Sequence, residues 1–295
     1  MKIVVIVRQA PAPNLPIEYD RWLGGVDPDD IVYTTSPGDL QAVEEAIRIR
    51  DSQGQGTVTL VAIAPAHVET VLQHYLSMGA DEAVNICDRH LENSDAYGLA
   101  LALYRAIRKM KYDLILCGAE SVDDCGCSVF LGPYLAEMLG LPHLSGVTKI
   151  EVPAGSREVI VQQKMERGDR GILRSPLPCL LAVEEGINEP RYATFPDSLN
   201  SLRKDIQVLD LASLGLRAEE LDRSGSLTQV VSFSPPRGRV KKGLVIDTKL
   251  SAAERMKIVR SGGLSSRSNR RLLSGEPKEL VEEIAAILKS QGIIS

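Results

Sequence analysis

The first 150 residues alternate short apolar runs with segments of helical periodicity. Four runs are rich in β-branched residues and too short to be helices, so they predict strands. These runs are residues 3–7, 58–64, 83–86 and 114–117, and apolar positions at helical spacing lie between them at 40–47, 68–75 and 94–110. Strands that are apolar on both faces and alternate with helices indicate a parallel sheet covered by helices on both sides.

The pattern changes after residue 142. Residues 147–152 and 159–163 predict two antiparallel strands around a Pro-Ala-Gly-Ser turn, and residues 178–183 predict a further buried strand. Near the end of the chain, residues 277–288 predict a short amphipathic helix. The predicted fold class is therefore α/β, with antiparallel strands added to a parallel core and an extended C-terminal arm.

Charge is distributed unevenly along the chain. The 295 residues include 34 Lys and Arg against 39 Asp and Glu, and this net charge of −5 excludes a generally nucleic-acid-binding surface. Residues 237–271, the basic segment, contain eleven Lys and Arg against Asp247 and Glu254, a net charge of +9 that leaves −14 on the rest. Docking on an acidic acceptor or a partner subunit, attachment to an anionic membrane surface, and a solvated extension all remain open for this segment.

Composition indicates a reducing compartment. The apolar fraction of 44% is enough for a substantial core, but no stretch approaches the roughly 18 uninterrupted apolar residues of a membrane helix. Residues 1–7 lack the regions of a signal peptide. The five cysteines are odd in number and lie mostly in apolar runs, a pattern typical of reduced thiols. We therefore expect a cytoplasmic protein.

A ligand site is expected at one edge of the predicted sheet. In an open parallel sheet, ligands bind beyond the carboxyl ends of the strands, where loops lead into helix amino termini. The loop at 118–128 is small and polar and precedes a helical stretch at 129–139, so its backbone can wrap a phosphate, although an ordinary connecting loop is the alternative. Ser36 or Asp39 is expected to cap the first helix. The segments predicted at this edge are residues 8–13, 36–39, 64–66 and 118–128.

No standard catalytic fingerprint is present in the sequence. The first strand is not followed by a G-x-G-x-x-G motif, and neither a Walker loop nor a G-x-S-x-G elbow occurs. Cys125 and Cys127 lack a second cysteine pair, and none of the four histidines stands at ligand spacing, so we expect no metal site. Asp123 and Asp124 are candidates for Mg²⁺ beside a phosphate, but helix capping or a ribose contact is the favoured interpretation.

Four sequence motifs point to one known family. They are Ala-Val-Glu-Glu-Ala at 42–46, Met-Gly-Ala-Asp at 78–81, the loop at 118–128 and, most specifically, Asn-Glu-Pro-Arg-Tyr-Ala-Thr-Phe-Pro at 188–196. These motifs resemble those of the β subunit of electron-transfer flavoproteins. The resemblance runs from residue 1 to about residue 236 and returns in the final helix at 280–294.

The resemblance implies a heterodimer in which an α subunit holds the redox-active FAD. Residues 1–205 would form a Rossmann-like domain, similar to adenine-nucleotide α-hydrolases, that binds AMP, or a second FAD in electron-bifurcating members. Residues 206–295 would form an arm and a helix that wrap the α subunit, with the basic segment as an insertion. Electrons would arrive from an acyl-CoA dehydrogenase or NADH and leave to a quinone reductase, a ferredoxin or a related acceptor. The chain would then be an electron carrier and not an enzyme.

By position, the resemblance also implies which residues contact the adenine nucleotide. Backbone amides at the strand ends would read the adenine edge, while Asp123, Ser128 and a helix amino terminus would contact ribose and phosphate. The loop that ends at Gly132 and Pro133 is longer than in many relatives. The implied cofactor-binding residues are Ile6, Arg8, Ser36, Pro37, Gly38, Asp39, Ile63, Val122, Asp123, Asp124, Cys125, Gly126, Cys127, Ser128 and Val129.

Residues 191–197 resemble the recognition loop of the family, in which an apolar residue after Ala-Thr fills a pocket on the partner dehydrogenase. That residue is Phe195 here, and a single aromatic anchor suits a weak, fast interface, with simple core packing as the alternative. Besides the longer loop that ends at Gly132 and Pro133, three features depart from the family. Arg8 replaces a frequent Lys, residues 10–13 lack the aromatic that some members place near the flavin, and the basic segment has no counterpart of its length.

Two other functions remain open from the sequence. An ATP-using enzyme of the wider α-hydrolase-like superfamily would need a pyrophosphate-binding S-G-G-x-D-S signature after the first strand, where this chain has Arg-Gln-Ala-Pro-Ala-Pro from residue 8. A nucleotide sensor of the universal-stress type would need the same pocket without an α subunit. Within the flavoprotein interpretation, AMP and a second FAD both remain open.

Overall fold

The computed structural model divides the chain into two compact units, Met1–Pro235 and Pro236–Ser295. Most of the basic segment lies outside the described residues, so its predicted roles stay predictions. The structure describes residues 1–12, 14–15, 19–20, 25–26, 30–64, 69–91, 94–119, 127–153, 155–221, 225–229, 231, 251–253, 255–256 and 277–290.

A nine-stranded sheet forms the centre of the first unit within the described residues, in the order β11-β10-β9-β12-β8-β1-β6-β7-β13. Its neighbours from β9 to β13 are parallel, whereas β10 and β11 are antiparallel additions at one edge. In chain order the strands are β1 (Lys2–Val7), β2 (Gln9–Pro11), β3 (Tyr19–Asp20), β4 (Gly25–Val26), β5 (Tyr33–Thr35), β6 (Thr57–Ile63), β7 (Glu82–Ile86), β8 (Leu114–Gly118), β9 (His143–Glu151), β10 (Glu158–Lys164), β11 (Arg170–Pro176), β12 (Cys179–Val183) and β13 (Ile206–Leu209).

Helices cover both faces of the sheet. The first unit contains the helices α1 (Pro37–Ser52), α2 (Glu69–Ser77), α3 (Ala96–Ile107), α4 (Cys127–Leu139), α5 (Phe195–Ser201) and α6 (Leu211–Leu214). The second unit, taken by itself, contains α7 (Pro277–Ser290). Ile3, Val5 and Val7 of β1 pack in the apolar cluster that includes α1 and α2. Val4 and Ile6 pack in the cluster that includes α3 and α4, so the prediction of a sheet covered on both faces is confirmed. None of the described helices is long and apolar enough to cross a membrane.

The predicted core strands are present, and two further strands extend the sheet. The seven predicted runs coincide with β1, β6, β7, β8, β9, β10 and β12, and β9 and β10 are antiparallel as expected. Strands β11 and β13 and helix α5 were not predicted. Strand β13 has four residues and lies at the sheet edge, so its alternation is too short to give a signal. It pairs with β7 just after the predicted domain boundary at residue 205.

Cys87, Cys117 and Cys179 are free thiols in the described part of the chain. Burial raises the pKa of Cys117 to about 12 and that of Cys179 to about 11. Both thiols are therefore protonated at neutral pH and are poor nucleophiles, because the thiolate is the reactive form.

Asp95 connects the amino terminus of α3 to the segment that follows the sheet. As the N-cap of α3, its Oδ1 accepts a hydrogen bond from the Gly98 amide at 3.1 Å. Its Oδ2 accepts from the amide and the hydroxyl of Thr228, at 2.8 and 3.0 Å. Burial would raise the pKa of Asp95, but the hydrogen bonds from Gly98 and Thr228 outweigh it and hold the pKa below its ordinary value. One carboxylate therefore stabilises both a helix start and a long-range contact.

We expect Asp95→Ala to lower the free energy of unfolding of the full chain by about 2 kcal/mol in urea denaturation, because the cap and the Thr228 contact are both lost. Asp95→Asn should cost less, since Asn also caps helices.

Because the folded-state pKa of Asp95 is lowered, its stabilisation is present above the unfolded-state pKa and is lost as the pH falls through the folded-state value. Asp210→Ala, which removes a cap from the short α6, is the control, and an equal loss in both Ala variants would contradict the long-range role.

Candidate functional site

The strand order reverses next to β1, and this reversal locates the candidate site. The chain proceeds from β1 to β6 and β7 on one side, and then returns to β8 on the other side of β1. Open α/β sheets bind ligands in the crevice at such a reversal, outside the carboxyl ends of the strands. Here Arg8 follows β1 and Gly118 ends β8, so these two residues flank the crevice.

The Asp39 carboxylate joins the two sides of this crevice. Asp39 lies in the first turn of α1 and is 0% exposed. Its Oδ2 accepts hydrogen bonds from the amide and Nε of Arg8 at 2.8 and 3.2 Å, and its Oδ1 accepts from Nη2 of Arg8 at 3.1 Å. Oδ1 also accepts from the Gly118 amide at 3.0 Å. The structure thus brings together three of the four segments predicted at this edge.

Tyr75 of α2 forms hydrogen bonds to two segments of the same cluster. Its ring is fully buried, and its hydroxyl donates to the Arg8 carbonyl at 3.2 Å and accepts from the Ser36 amide at 3.0 Å. Burial, with a contribution from the Asp39 charge, raises the pKa of Tyr75 well above its usual value, so the hydroxyl stays protonated. Sequence reasoning assigned Tyr75 only to an apolar helix face, because its two polar partners are distant in sequence.

Gly118 allows the close approach of α1 to the end of β8. A Cβ placed on Gly118 would lie 2.5 Å from Oδ1 of Asp39 and 2.9 Å from the Gly38 carbonyl carbon. Real Cβ atoms essentially never come this close to another heavy atom. The Gly38 contact is with backbone, which cannot move away as the end of a flexible side chain could. Any side chain at Gly118 would therefore displace α1 from the crevice.

The expected side-chain cap of α1 is not observed. Ser36 occupies the N-cap position, but neither its hydroxyl nor the Asp39 carboxylate bonds to the first turn of the helix. That prediction was wrong because the Asp39 carboxylate faces Arg8 and Gly118, where it is fully engaged. Pro37 and Gly38 form the first turn of α1, so they border the crevice.

Several buried polar atoms at this edge of the sheet lack a partner among the described residues. They are Oε1 of Gln9, Oγ of Ser36 and Oδ1 of Asn85. Gln9 follows β1, Ser36 precedes α1, and Asn85 lies near the end of β7 with its Nδ2 donating to the Ala64 carbonyl at 3.2 Å. An unpaired buried polar group costs about 1–3 kcal/mol, so each of these atoms calls for a partner outside the described residues, either water or a polar ligand.

The remaining predicted contacts divide into three groups. Ile6 is buried in the core beneath the crevice, and Ile63 ends β6 and is partly buried. Cys127, Ser128 and Val129 form the first turn of α4, which begins two residues earlier than the predicted 129. Among the described side chains, no group of three or more metal-ligating residues occurs. The other members of the predicted loop, Val122, Asp123, Asp124, Cys125 and Gly126, lie outside the described residues.

Phe195 lies on the surface, at the first position of α5. Its exposed fraction is 76%, and that of the nearby Tyr192 is 98%. The helix begins with Thr194 as its N-cap, which accepts a hydrogen bond from the Asp197 amide at 3.3 Å. The alternative of core packing for Phe195 is therefore wrong within the described structure, and Leu199 and Leu202 add further exposed apolar surface.

A family model described as electron transfer flavoprotein domain matches residues 26–214. The chain belongs to this family. It is 33% identical to electron transfer flavoprotein subunit beta of Thermoanaerobacterium thermosaccharolyticum over 261 residues, 87% of this chain and 98% of the relative. It is 35% identical to protein FixA of Azotobacter vinelandii, covering 84% of this chain and 89% of the relative. It is 30% identical to the caffeyl-CoA reductase-Etf complex subunit CarD of Acetobacterium woodii, covering 80% and 88%.

We expect Gly118→Ala to lower the free energy of unfolding by about 1–3 kcal/mol, because the added methyl overpacks the contact with Asp39 and the Gly38 backbone. Urea denaturation of the full chain measures this. Gly171→Ala is the matched control, since a Cβ there meets only the flexible end of the Met165 side chain, at 3.1 Å. A loss for Gly118→Ala that is no larger than the loss for Gly171→Ala would contradict the close contact assigned to Gly118.

Proposed function

We propose that the chain is the β subunit of a heterodimeric electron-transfer flavoprotein and binds an adenine nucleotide, AMP or a second FAD, in the crevice between β1 and β8. Family membership over most of the chain supports the β-subunit role. The single observation that carries the binding proposal is the Arg8–Asp39–Gly118 cluster at the strand reversal, beside buried polar atoms that have no partner among the described residues. FAD held mainly by the α subunit would accept and release the electrons.

The described residues would bind and orient the nucleotide. The amino termini of α1 and α4 both open toward this end of the sheet, and helix amino termini favour phosphate. Asp39 does not repel the phosphate strongly, because its charge is neutralised by Arg8 at 3.1 Å. The buried Ser36 hydroxyl has no partner among the described residues, and residues 122–129 would complete the ribose and phosphate contacts as the resemblance implies. These groups bind a nucleotide without transforming it.

An ATP-using enzyme is a poorer fit to the same edge. Enzymes that cleave a nucleotide phosphate commonly carry a glycine-rich loop between the first strand and a helix. Here Arg8 is held by Asp39, and β2 begins at Gln9 and pairs with β5. The segment that follows β1 is therefore a short strand and not a phosphate-binding loop. This favours an electron carrier over an ATP-using enzyme.

The partners follow from the same role. We propose an acyl-CoA dehydrogenase-type donor, for which Phe195 is the anchor, and a quinone reductase or ferredoxin-type acceptor. Within residues 206–295, the part that follows the sheet strand β13 and its buried leucines would wrap the α subunit, and α7 supports this with apolar side chains exposed at Val281, Ile284 and Ile287. The basic segment would dock on the α subunit or on an acidic acceptor, or hold the complex at an anionic membrane surface. The free thiols of Cys87, Cys117 and Cys179 support a reducing compartment, and we propose the cytoplasm.

Cofactor extraction tests the proposed function. We expect the complex co-expressed with its α subunit to be yellow and to release two adenine nucleotides per dimer on acid denaturation, either one FAD and one AMP or two FAD. Gly118→Ala should lower the yield of the nucleotide held by this chain and leave the α-subunit FAD in place. A colourless complex, or one adenine nucleotide per dimer in the wild type, would contradict the proposal.

Removing the exposed aromatic tests the donor class. We expect Phe195→Ala to raise the KM of a medium-chain acyl-CoA dehydrogenase for the complex by about tenfold, because a truncated interface anchor typically loses more than about 1 kcal/mol. Flavin content should not change. Ile172→Ala is the control, because Ile172 is equally exposed but lies on β11 at the opposite edge of the sheet. An unchanged KM for Phe195→Ala would exclude the anchor role.

A further inference from the structure

Glu44 is a buried carboxylate that the nucleotide crevice does not use. It lies on α1, and only 3% of its side chain is exposed. Its Oε2 accepts hydrogen bonds from Nε of Arg191 at 2.7 Å and from the Arg191 amide at 3.2 Å, and its Oε1 accepts from Nη2 of Arg191 at 3.2 Å. Nε of Arg48 also donates to Oε1, at 2.7 Å. A single carboxylate thus holds both the side chain and the backbone of Arg191.

Further hydrogen bonds fix the residues before Arg191 to the same helix. The Asn188 Nδ2 donates to the Gln41 carbonyl and to Oε2 of Glu45, both at 3.0 Å. The Gly186 amide donates to Oε1 of Gln41 at 2.8 Å, and Nη2 of Arg48 donates to the Glu189 carbonyl at 3.2 Å. Residues 186–191 are therefore attached to one face of α1 along their length, and we call this set of contacts the α1 clamp.

Glu44 is the charged centre of the α1 clamp. Burial would raise its pKa, but the hydrogen bonds and charges of Arg191 and Arg48 outweigh burial and hold the pKa below its ordinary value. The carboxylate is therefore ionised at neutral pH. A buried ion is retained at little cost only where its partners are fixed in good geometry, so the position of Arg191 is strongly specified.

The exposed aromatics begin directly after the α1 clamp. Tyr192 is the next residue, and Phe195 follows three residues later at the start of α5. Both rings face solvent, and the residue joining them to the body is Arg191. The orientation of this exposed surface is therefore set by the Glu44 side chain, which is itself buried.

We propose that Glu44 is a positioning residue for donor docking: it orients the surface formed by Tyr192 and Phe195 without touching the donor. This inference rests on the proposed function, in which that surface binds a flavin dehydrogenase. A docking surface that is ordered before binding avoids the loss of conformational freedom on association, which lowers affinity when a segment must first be ordered. Neutralising Glu44 therefore weakens docking while the flavin and its chemistry are unaffected.

The test compares the wild-type αβ complex with Glu44→Gln as electron acceptors of a medium-chain acyl-CoA dehydrogenase supplied with its acyl-CoA. We expect the KM for the complex to rise about tenfold, because the variant must order the side chains of the docking surface when it binds the donor. The kcat, the FAD content and the rate of FAD reduction by dithionite, which needs no docking, should not change. Amide hydrogen exchange over residues 188–202 should be faster in the variant.

Three further variants complete the test. Glu151→Gln is the control, because Glu151 forms an exposed ion pair with Lys149 at 2.6 Å on β9, and the KM of this variant should equal that of the wild type. If Glu44→Gln fails to assemble, Glu44→Asp keeps the charge but withdraws the carboxylate from Arg191, and it should raise KM in the same way. Arg191→Lys keeps the positive charge but loses the bidentate contact with Glu44. Its KM should lie between those of the wild type and Glu44→Gln.

The outcomes separate the two proposals. A wild-type complex that is not reduced by the dehydrogenase would contradict the proposed donor class. A wild-type complex that is reduced, with Glu44→Gln unchanged in KM and in hydrogen exchange, would overturn the positioning role alone. Parallel losses in kcat, FAD content and dithionite reduction would also overturn it, because they would show that Glu44 only stabilises the fold.

Discussion

The buried carboxylate of Asp39 is the interaction on which the candidate site depends. A charge that is removed from water costs several kcal/mol unless it is paired and hydrogen-bonded, and Asp39 is fully buried. It is held by Arg8 through the amide and the guanidinium and by the Gly118 amide. These partners are the ends of the two central strands on either side of the strand reversal, so one side chain sets the width of the crevice.

Helix α1 extends this control away from the crevice. Its apolar side chains Ala42, Val43, Ala46 and Ile47 pack without exposure in the cluster on one face of the sheet, which fixes the helix as a rigid element. Its first turn carries Asp39, and its second carries Glu44, which binds Arg191. The crevice and the segment that leads to the exposed aromatics are therefore parts of one framework, and a shift of α1 would move both.

The sequence predicted the core well because its signal is local. Runs that are apolar on both faces identify β1, β6, β8 and β12 as buried parallel strands without any knowledge of their neighbours. The position of the candidate site in the fold was predicted from the sequence, but the contacts between its residues were not. Asp39 looked like a helix cap because acidic residues favour the first turn, whereas its actual partners lie 31 and 79 residues away. Resemblance singled out Arg191 by its motif, but only the structure shows that its partner is Glu44, 147 residues away.

Three buried carboxylates in the acidic body act in the same physical way. Asp39 joins β1 to β8, Glu44 joins α1 to residue 191, and Asp95 joins α3 to residue 228. Each connects segments that hydrophobic burial alone would leave free to slide, because apolar contacts are not directional. A buried ion tolerates only the arrangement that satisfies all its hydrogen bonds, so these carboxylates select one geometry among similarly packed ones. For the proposed nucleotide site and the proposed docking surface, this selection is more useful than the small net stability that such pairs provide.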